Sequence, residues 1–376
     1  MTMQAEHITD FNLHDFIRIR LCNPSPADVR AVERQLGPIQ VEVAGEPDIT
    51  IQFVERLPQT STLRYLGVDE AAFDDENFYV LRGKHKARTK VHIPFDEIGK
   101  RLTITCESGL PAVPLLIPII NLTALSKGIL PLHASAFTYN RTGVLVTGWS
   151  KGGKTETLLA FMQNGASYIG DEWVYISADG RTIYGIPEPI RLWDWHLQQL
   201  PQYSAKVGQG DRLRLKVIKA AQATDNHMPS GVKKGFLPAK MLNRAAPVLK
   251  RQLCVDVHPM RLFGQAAFAL RGSLDRVFFT MSHETDTVSV TPIEVSEIAE
   301  RMIFSLEYER ANFYSFYMMF RFAFPERRNE FIECAETMQR ALLMDLLKDK
   351  AAYAVYHPYP MSIAALFEVM SAYVGA

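Results

Sequence analysis

Near the middle of the chain lies the stretch Gly148-Trp149-Ser150-Lys151-Gly152-Gly153-Lys154-Thr155, from which the expected fold follows. The apolar run 143–147 precedes it and the helical pattern 156–164 comes after it, so the predicted order is strand, loop, helix. The spacing G-x-x-x-x-G-K-[ST] is typical of a phosphate-binding loop, or P-loop, whose glycines let successive backbone N–H groups turn towards phosphate oxygens. The alternative is a glycine-rich turn with an incidental lysine, which the flanking strand and helix disfavour.

The residue types in this loop have separate chemical tasks. Lys154 would reach the β- and γ-phosphates, and the hydroxyl of Thr155 would bind Mg²⁺. The helix that follows would add the partial positive charge of its N-terminal end. We therefore predict ATP and Mg²⁺ as cofactors, held by Gly148, Trp149, Ser150, Lys151, Gly152, Gly153, Lys154, Thr155 and Glu156.

Two short segments flank the loop: Leu132-His133-Ala134-Ser135 upstream and Ile169-Gly170-Asp171-Glu172 downstream. Together with the loop, they resemble the HPr kinase/phosphorylase family, in which a strand bearing His precedes the P-loop and an acidic pair ends the strand after the loop's helix. That family shares its nucleotide-binding core with the phosphoenolpyruvate carboxykinases. The resemblance implies an α/β (α+β) fold with an HPr-kinase/PEP-carboxykinase-like P-loop core, a small N-terminal mixed domain and C-terminal helices.

The resemblance also implies roles for individual residues. Asp171 would accept the proton of an attacking hydroxyl, His133 would lie beside the transferred phosphoryl group, and Lys154 would hold the phosphates. Thr155, Asp171 and Glu172 would lie at the metal. Phosphoryl transfer needs clamped phosphates, neutralised charge and a carboxylate that orients the nucleophile, so these assignments also make physical sense without the family. The alternatives are a surface turn for the acidic pair and a structural histidine for His133.

The chain departs from the family at several positions. Lys151 stands where glycine is common and would put extra positive charge beside the γ-phosphate, and Trp149 would form a lid over it. The segment 185–192 reads Gly-Ile-Pro-Glu-Pro-Ile-Arg-Leu in place of the family's glycine-rich signature. The departures predict a hydroxyl acceptor other than HPr and leave open whether the reverse phosphorylase reaction exists.

The function that the sequence favours is that of a kinase, a phosphotransferase with an alcohol group as acceptor. The acceptor would be a Ser or Thr of a peptide or protein, or a small hydroxylated metabolite. The paired carboxylate favours a kinase over a hydrolase, because it suits a hydroxyl nucleophile. The alternative is a nucleotide-binding regulatory or scaffold protein, in which the loop binds ATP without phosphoryl transfer.

Along the chain, the patterns predict three regions: an N-terminal mixed α/β domain over 1–108, the nucleotide-binding core over 109–300 and a helical region over 301–376. In the first region, a helix is predicted over 26–36 with a capping signal at Ser25 and Asp28. The predicted strands of the first two regions are 16–22, 39–43, 49–54, 90–93, 102–106, 134–139, 143–147, 168–169, 174–177, 182–185, 252–257 and 276–281.

Composition limits the partners. The 376 residues carry 41 Lys plus Arg against 41 Asp plus Glu, so no global charge draws the chain to nucleic acid or a membrane, and neither partner is expected. The four cysteines are far apart and contain no C-x-x-C pair, which argues against a zinc site and a disulfide framework. The N-terminus has no signal-peptide pattern, so we expect a cytoplasmic protein. Whether the chain forms homo-oligomers stays open.

Three further features each have two interpretations. The acidic cluster Asp69, Glu70, Asp74, Asp75 and Glu76 is a metal site or a solvated loop, and the loop is favoured. The basic segment 206–251 recruits an acidic acceptor or is a solvated loop, with neither preferred. The aromatic stretch 313–324 is a buried helix or a platform for stacking bases, and the helix is favoured because the basic residues lie elsewhere.

Overall fold

The structure, a computed structural model, describes residues 7–41, 45–83, 88–227 and 253–375. It contains two compact units: unit 1 spans Met1–Glu188 and Ala269–Ala376, and unit 2 spans Pro189–Phe268. The boundaries predicted near 108 and 300 both fall inside unit 1, so the three-domain division stays a prediction. The mixed α/β class is confirmed by the presence of mixed sheets and helices throughout unit 1.

The first part of unit 1 is an eight-stranded sheet. Its strands are β1 Ile8–Leu13, β2 Ile17–Cys22, β3 Ile49–Val54, β4 Arg64–Leu66, β5 Ala71–Phe73, β6 Phe78–Arg82, β7 Arg88–His92 and β8 Leu102–Glu107. They lie in the order β1-β2-β3-β8-β7-β6-β5-β4, with parallel pairing from β2 through β3 to β8 and antiparallel pairing elsewhere.

The second sheet of unit 1 carries the predicted nucleotide-binding core. Its strands are β9 Leu130–Tyr139, β10 Thr142–Gly148, β11 Ser167–Gly170, β12 Trp173–Ile176, β13 Thr182–Gly185, β16 Arg271–Ser273, β17 Arg276–Ser282, β18 Ser289–Pro292 and β19 Ala351–His357. The order is β16-β13-β12-β9-β10-β17-β19-β18, with β11 paired to β9. Strand β10 pairs antiparallel with β9 and parallel with β17, which places it well inside the sheet.

The helices are α1 Pro26–Leu36, α2 Leu116–Ser126, α3 Lys154–Met162, α4 Asp194–Gln199, α5 Pro201–Ser204, α6 Gln209–His227, α7 Pro259–Phe263, α8 Val295–Ala323, α9 Glu330–Leu347 and α10 Ile363–Met370. Helix α1 begins where the sequence predicts. The Ser25 hydroxyl accepts a hydrogen bond from the Asp28 backbone N–H, and the Asp28 carboxylate accepts one from the Ser25 N–H, so the two residues form a capping box.

Unit 2 contains α4 to α7 and a two-stranded antiparallel sheet formed by β14 Ile190–Trp193 and β15 Cys254–Val257. The predicted basic segment 206–251 begins here. Its first part includes α6, whereas 228–251, with Lys233 and Lys234, lies outside the described residues. Whether the segment recruits an acceptor therefore stays a prediction.

Helix α8 contributes to both hydrophobic cores of unit 1. Its first half buries Met302 and Leu306 in the core beneath the second sheet, and its second half buries Phe313 and Phe320 in the core of the first sheet. The aromatic stretch is thus mainly a buried helix face, as the sequence predicts. Phe322 is an exception, since it lies exposed on the opposite side of the helix.

The region predicted to be helical after residue 300 also contains a strand, β19, which the periodicity missed. Its sequence, Ala-Ala-Tyr-Ala-Val-Tyr-His, is rich in alanine, which favours helices. It forms a strand because it pairs on both sides, parallel with β17 and antiparallel with β18. Tertiary pairing overrides local propensity here.

The acidic cluster contains one buried residue. Asp69, Glu70, Asp75 and Glu76 are exposed, as the predicted solvated loop requires. The Asp74 side chain is buried instead, and its carboxylate accepts hydrogen bonds from the Tyr79 hydroxyl at 2.7 Å and from the Asn77 backbone N–H at 2.7 Å. It stabilises the turn between β5 and β6.

Candidate functional site

The glycine-rich loop joins the end of β10 to the start of α3, as predicted, and two of its glycines are required sterically. Gly148 and Gly153 have φ of 149° and 101°, a region that side chains disfavour. A Cβ on Gly148 would lie 2.5 Å from the Thr280 carbonyl oxygen. A Cβ on Gly153 would lie 2.5 Å from Nε2 of His357. The loop therefore packs tightly against the ends of β17 and β19.

Lys154 points into the loop. Its Nζ donates to the carbonyl oxygens of Trp149 at 3.0 Å and Gly148 at 3.3 Å, and the residue is only 6% exposed. Burial lowers the pKa of Lys154, although nearby carboxylates, Glu172 first among them, oppose the shift. The Lys154 Nζ thus lies within the loop, hydrogen-bonded to two of its backbone carbonyls and close to the charge of several carboxylates.

Thr155 and Asp171 meet at the start of α3. The Thr155 hydroxyl lies 3.0 Å and 3.3 Å from the two oxygens of the Asp171 carboxylate. Asp171 is 3% exposed, and burial raises its pKa above the ordinary carboxyl range. The nearby charge of Glu172 raises this pKa further, whereas the Thr155 hydroxyl and Lys154 oppose the shift.

Glu172 and His133 lie side by side, as the predicted constellation requires. Nε2 of His133 is 3.1 Å from the Glu172 carboxylate, and its ring stacks on Trp173 at 5.7 Å between centroids. Glu172 itself has a φ of 66°, an uncommon conformation for a residue with a side chain. Sequence reasoning could not predict this backbone conformation, because nothing in the surrounding residue types requires it.

A second carboxylate reaches His133 from α8. Oε1 of Glu309 lies 2.9 Å from Nδ1 of His133, so the imidazole lies between two acids. Burial alone would lower the pKa of His133, but the hydrogen bond to Glu172 and the close Glu309 carboxylate raise it overall. Glu309 is 176 positions from His133 along the chain and belongs to no motif, so no sequence signal pointed to it.

Three further side chains support the loop, and two of them, His357 and Ser305, were not indicated by the sequence. Nε2 of the fully buried His357 lies 2.9 Å from the Gly152 carbonyl oxygen. The Ser305 hydroxyl on α8 lies 3.5 Å from the Gly148 carbonyl oxygen. The Ser135 hydroxyl donates to the Lys154 carbonyl at 2.8 Å and ties α3 to β9. Together they hold the backbone of the loop from three neighbouring elements.

The remaining predicted loop residues range from buried to exposed. Trp149 is half-exposed, and its ring packs against Tyr308 of α8 at 5.1 Å between centroids. Lys151 is exposed with a φ of 64°. Ser150 and Glu156 are half-buried, and Gly152 donates its N–H to the Trp149 carbonyl at 3.0 Å. The predicted phosphate-binding residues therefore form one continuous loop.

The site residues fit a magnesium ion better than a transition metal. Thr155 and Asp171 offer hydroxyl and carboxylate oxygens, the ligands that Mg²⁺ prefers, and Mg²⁺ is commonly held by few protein groups together with substrate phosphates. Over the described parts of the chain, no group of three or more His, Cys, Asp or Glu side chains is arranged to hold a metal ion. The structure thus offers no protein-only metal cage in those parts.

Comparisons with known proteins give little further information. No protein-family model matches the chain, and a search of the curated proteins finds no match. Among solved structures, the chain is similar to the Hpr(Ser) kinase/phosphatase from Coxiella burnetii, with 13% sequence identity, a TM-score of 0.20, and coverage of 43% of this chain and 77% of that chain. This TM-score is too low to assign the chain to that family.

A membrane-spanning helix is absent from the ranges that the structure describes, because none of their helices combines the necessary length and apolar character. The apolar run 110–125 contributes α2, which is 11 residues long and mostly buried in the protein core.

Proposed function

We propose that the chain is an ATP- and Mg²⁺-dependent kinase of the HPr-kinase-like class that phosphorylates a hydroxyl. The acceptor is a Ser or Thr of a peptide or protein, or a small hydroxylated metabolite. The observation that carries this proposal is the contact between Thr155 and Asp171 at 3.0 Å, directly beside Lys154. A P-loop hydroxyl, a P-loop lysine and a buried carboxylate are the groups that phosphoryl transfer requires in one place.

The binding of ATP follows from the loop backbone. Phosphate oxygens would accept hydrogen bonds from the loop amides and from the N-terminal end of α3. Lys154 now donates to two backbone carbonyls, and the more strongly charged phosphates would be its better partners. Lys154 would then neutralise charge on the β- and γ-phosphates.

The charges of the site give a reason for the metal. Asp171, Glu172 and Glu309 place three carboxyl groups around Lys154 and His133. ATP brings further negative charge, so a divalent cation would offset the repulsion. Thr155 would hold Mg²⁺, with the Asp171 and Glu172 carboxylates nearby, and the ion would supply charge neutralisation on the phosphates.

Asp171 is suited to the role of general base. The raised pKa of this carboxyl makes it a better proton acceptor near neutral pH than an ordinary aspartate. The two nitrogens of His133 face Glu172 and Glu309, the pKa of His133 is raised, and its protonated form would add positive charge near the transferred group.

The test is transfer of labelled γ-phosphate. The purified full chain is incubated with γ-labelled ATP, Mg²⁺ and a lysate of the source organism. We expect an acid-stable phosphomonoester, no label with Lys154→Ala, and normal labelling with the control Lys348→Ala, which removes an exposed lysine on the surface.

Other outcomes would contradict the proposal in distinct ways. Tight ATP binding with no labelled product would favour a regulatory or scaffold protein. Label in HPr together with phosphate-driven reversal would indicate an HPr kinase/phosphorylase. ATP-dependent conversion of oxaloacetate to phosphoenolpyruvate would indicate a carboxykinase.

A further inference from the structure

An apolar cavity of about 250 Å³ lies beside the glycine-rich loop. Helix α8 and strand β17 form its walls, and the loop closes one side. The lining residues are Trp149, Phe279, Met281, Arg301, Met302, Phe304 and Ser305. All of them belong to unit 1.

The cavity is continuous with the loop through two residues. Trp149 is both the second residue of the loop and part of the cavity wall, and Ser305 lines the cavity while its hydroxyl lies 3.5 Å from the Gly148 carbonyl oxygen. The spacing of Arg301, Phe304, Ser305 and Tyr308 on α8 is i, i+3, i+4 and i+7, so one face of the helix lies along the loop.

The position of Lys154 indicates which end of the nucleotide the cavity adjoins. In a P-loop the lysine reaches the β- and γ-phosphates. Here the Lys154 Nζ lies 3.0 Å from the Trp149 carbonyl oxygen, so Trp149 lies at the end of the loop where the β- and γ-phosphates would bind. A hydroxyl that receives the γ-phosphoryl group must approach at that end.

The lining favours an apolar occupant over a nucleobase. Its polar side chains are Ser305 and Arg301, and the guanidinium of Arg301 is already paired with Glu297 at 2.7 Å. A purine carries several hydrogen-bonding groups, which would lose free energy if they were buried without partners. An aromatic or aliphatic side chain has no such requirement. Size is also suitable, because an apolar cavity of about 150 Å³ already binds benzene.

The rim of the cavity favours a peptide over a small metabolite. Trp149, Phe304 and Tyr308 are 50%, 64% and 59% exposed, so large aromatic surface extends beyond the cavity itself. Exposed apolar patches of this kind mark interaction surfaces. A chain segment that continues past the cavity would cover these rings, whereas a small molecule would leave them in water.

We propose that this cavity is an acceptor subsite, which binds a large apolar side chain of a peptide or protein next to the hydroxyl that is phosphorylated. The proposal rests on the proposed kinase function and names its substrate class. It assigns Phe304 and Met281 to the binding of the acceptor and gives them no part in the binding of ATP.

The test compares two degenerate peptide libraries, each with one fixed serine. One library has Phe and the other has Ala at the positions flanking that serine. We expect the wild-type chain to transfer labelled phosphate to the Phe library with a kcat/KM about tenfold higher, the scale for burial of one aromatic side chain. Phe304→Ala removes part of the rim, and Met281→Trp fills the cavity. Both variants should lose the preference for the Phe library and leave the Kd for ATP unchanged.

Phe322→Ala is the matched control, since Phe322 is an exposed phenylalanine on the same helix and does not line the cavity. The Phe322→Ala variant should prefer the Phe library over the Ala library as strongly as the wild type does. Calorimetry with ATP separates the two proposals. Wild-type protein that fails to bind ATP would overturn the kinase function and the subsite together.

Three results would overturn the subsite alone. The first is equal transfer to both libraries, and the second is transfer from ATP into lysate metabolites with none into peptides. The third is a loss of ATP affinity in Phe304→Ala or Met281→Trp but not in Phe322→Ala, which would assign the cavity to the nucleobase.

Discussion

At the scale of single residues, Asp171 concentrates the chemistry of the candidate site. It is buried, it accepts a hydrogen bond from Thr155, and burial and Glu172 raise its pKa. These properties combine two parts of the chain, since Thr155 lies in the first turn of α3 and Asp171 and Glu172 follow β11. The alternative interpretation of the acidic pair is a surface turn. In a surface turn, Asp171 would be neither buried nor hydrogen-bonded to Thr155, and its pKa would not be raised.

Asp171→Asn should separate binding from transfer. The amide keeps the shape of the side chain and still accepts a hydrogen bond from Thr155, but it does not take up a proton. We expect transfer to fall by about 10²-fold or more, the scale for a lost general base, with little change in the Kd for ATP. Single-turnover transfer and calorimetry measure the two quantities. Near-normal transfer would remove Asp171 from the base role and leave Glu172 or His133 as candidates.

The same substitution should change how stability depends on pH. Because folding raises the pKa of Asp171, its protonated form contributes stability that is fully present below the unfolded pKa of 3.8 and is lost as the pH rises through the folded pKa. Asp171→Asn avoids this loss, so it should increase the free energy of unfolding more at pH 8 than at pH 5. Urea unfolding without Mg²⁺ measures this.

Asp286→Asn, at an exposed carboxyl, provides the comparison for the pH series and should show no such trend. An Asp171→Asn variant that is equally stabilised or destabilised at both pH values would mean that Asp171 is ionised as easily in the folded chain as in the unfolded one.

At the scale of elements, the geometry of the loop depends on the strands beneath it. Strand β17 supplies Thr280, and β19 supplies His357, whose Nε2 lies 2.9 Å from the Gly152 carbonyl. Helix α8 adds Ser305 from the other side. The glycine-rich loop is therefore shaped by elements that follow it by more than 100 residues.

Gly153→Ala should disturb the loop through His357. Its Cβ would lie 2.5 Å from Nε2 of His357, and its φ of 101° adds backbone strain. Gly165→Ala is a matched control, because its φ is 89° but nothing lies within 4 Å of the added Cβ. We expect both variants to lose about 1 kcal/mol of stability from the backbone.

Only Gly153→Ala should lose further stability, as measured by urea unfolding. Its ATP affinity, measured by calorimetry, should fall about tenfold. An ATP affinity equal to that of the Gly165→Ala variant would show that the loop tolerates a shift of His357.

At the scale of the whole molecule, unit 1 joins two sheets through α8. The helix buries Met302 and Leu306 under the second sheet and Phe313 and Phe320 under the first, and between these two sets it presents Glu309 to His133. A ligand bound at the loop would therefore lie beside α8, a helix that packs into both cores.

ATP binding should therefore stabilise the folded chain measurably. A ligand at 100 times its Kd adds about 2.7 kcal/mol to the stability of the state that binds it. We expect ATP with Mg²⁺ at 100 times the Kd to raise the thermal midpoint by about 3 °C in the wild type. Lys154→Ala should melt at nearly the same temperature as the ligand-free wild type and gain nothing from ATP. A full ATP-induced shift in this variant would mean that the loop is not the phosphate site.

Local features were predicted from the sequence alone. The loop, the helix after it, the strands on both sides of it and the capped helix α1 all follow from neighbouring residues, because hydrophobic period, capping and glycine spacing act over a few positions. The three segments that carry His133, Lys154 and Asp171 were chosen correctly as neighbours because their spacing resembles that of a known family.

Only the tertiary structure decided the rest. Glu309 reaches His133 across 176 residues, His357 supports Gly152 across 205, and β19 is a strand because β17 and β18 lie on either side of it. The cavity between α8 and β17 likewise combines residues that are far apart in sequence. Contacts of this range depend on how complete elements pack against one another. Short-range propensity and period carry no information about that packing, so these features appear only in the folded chain.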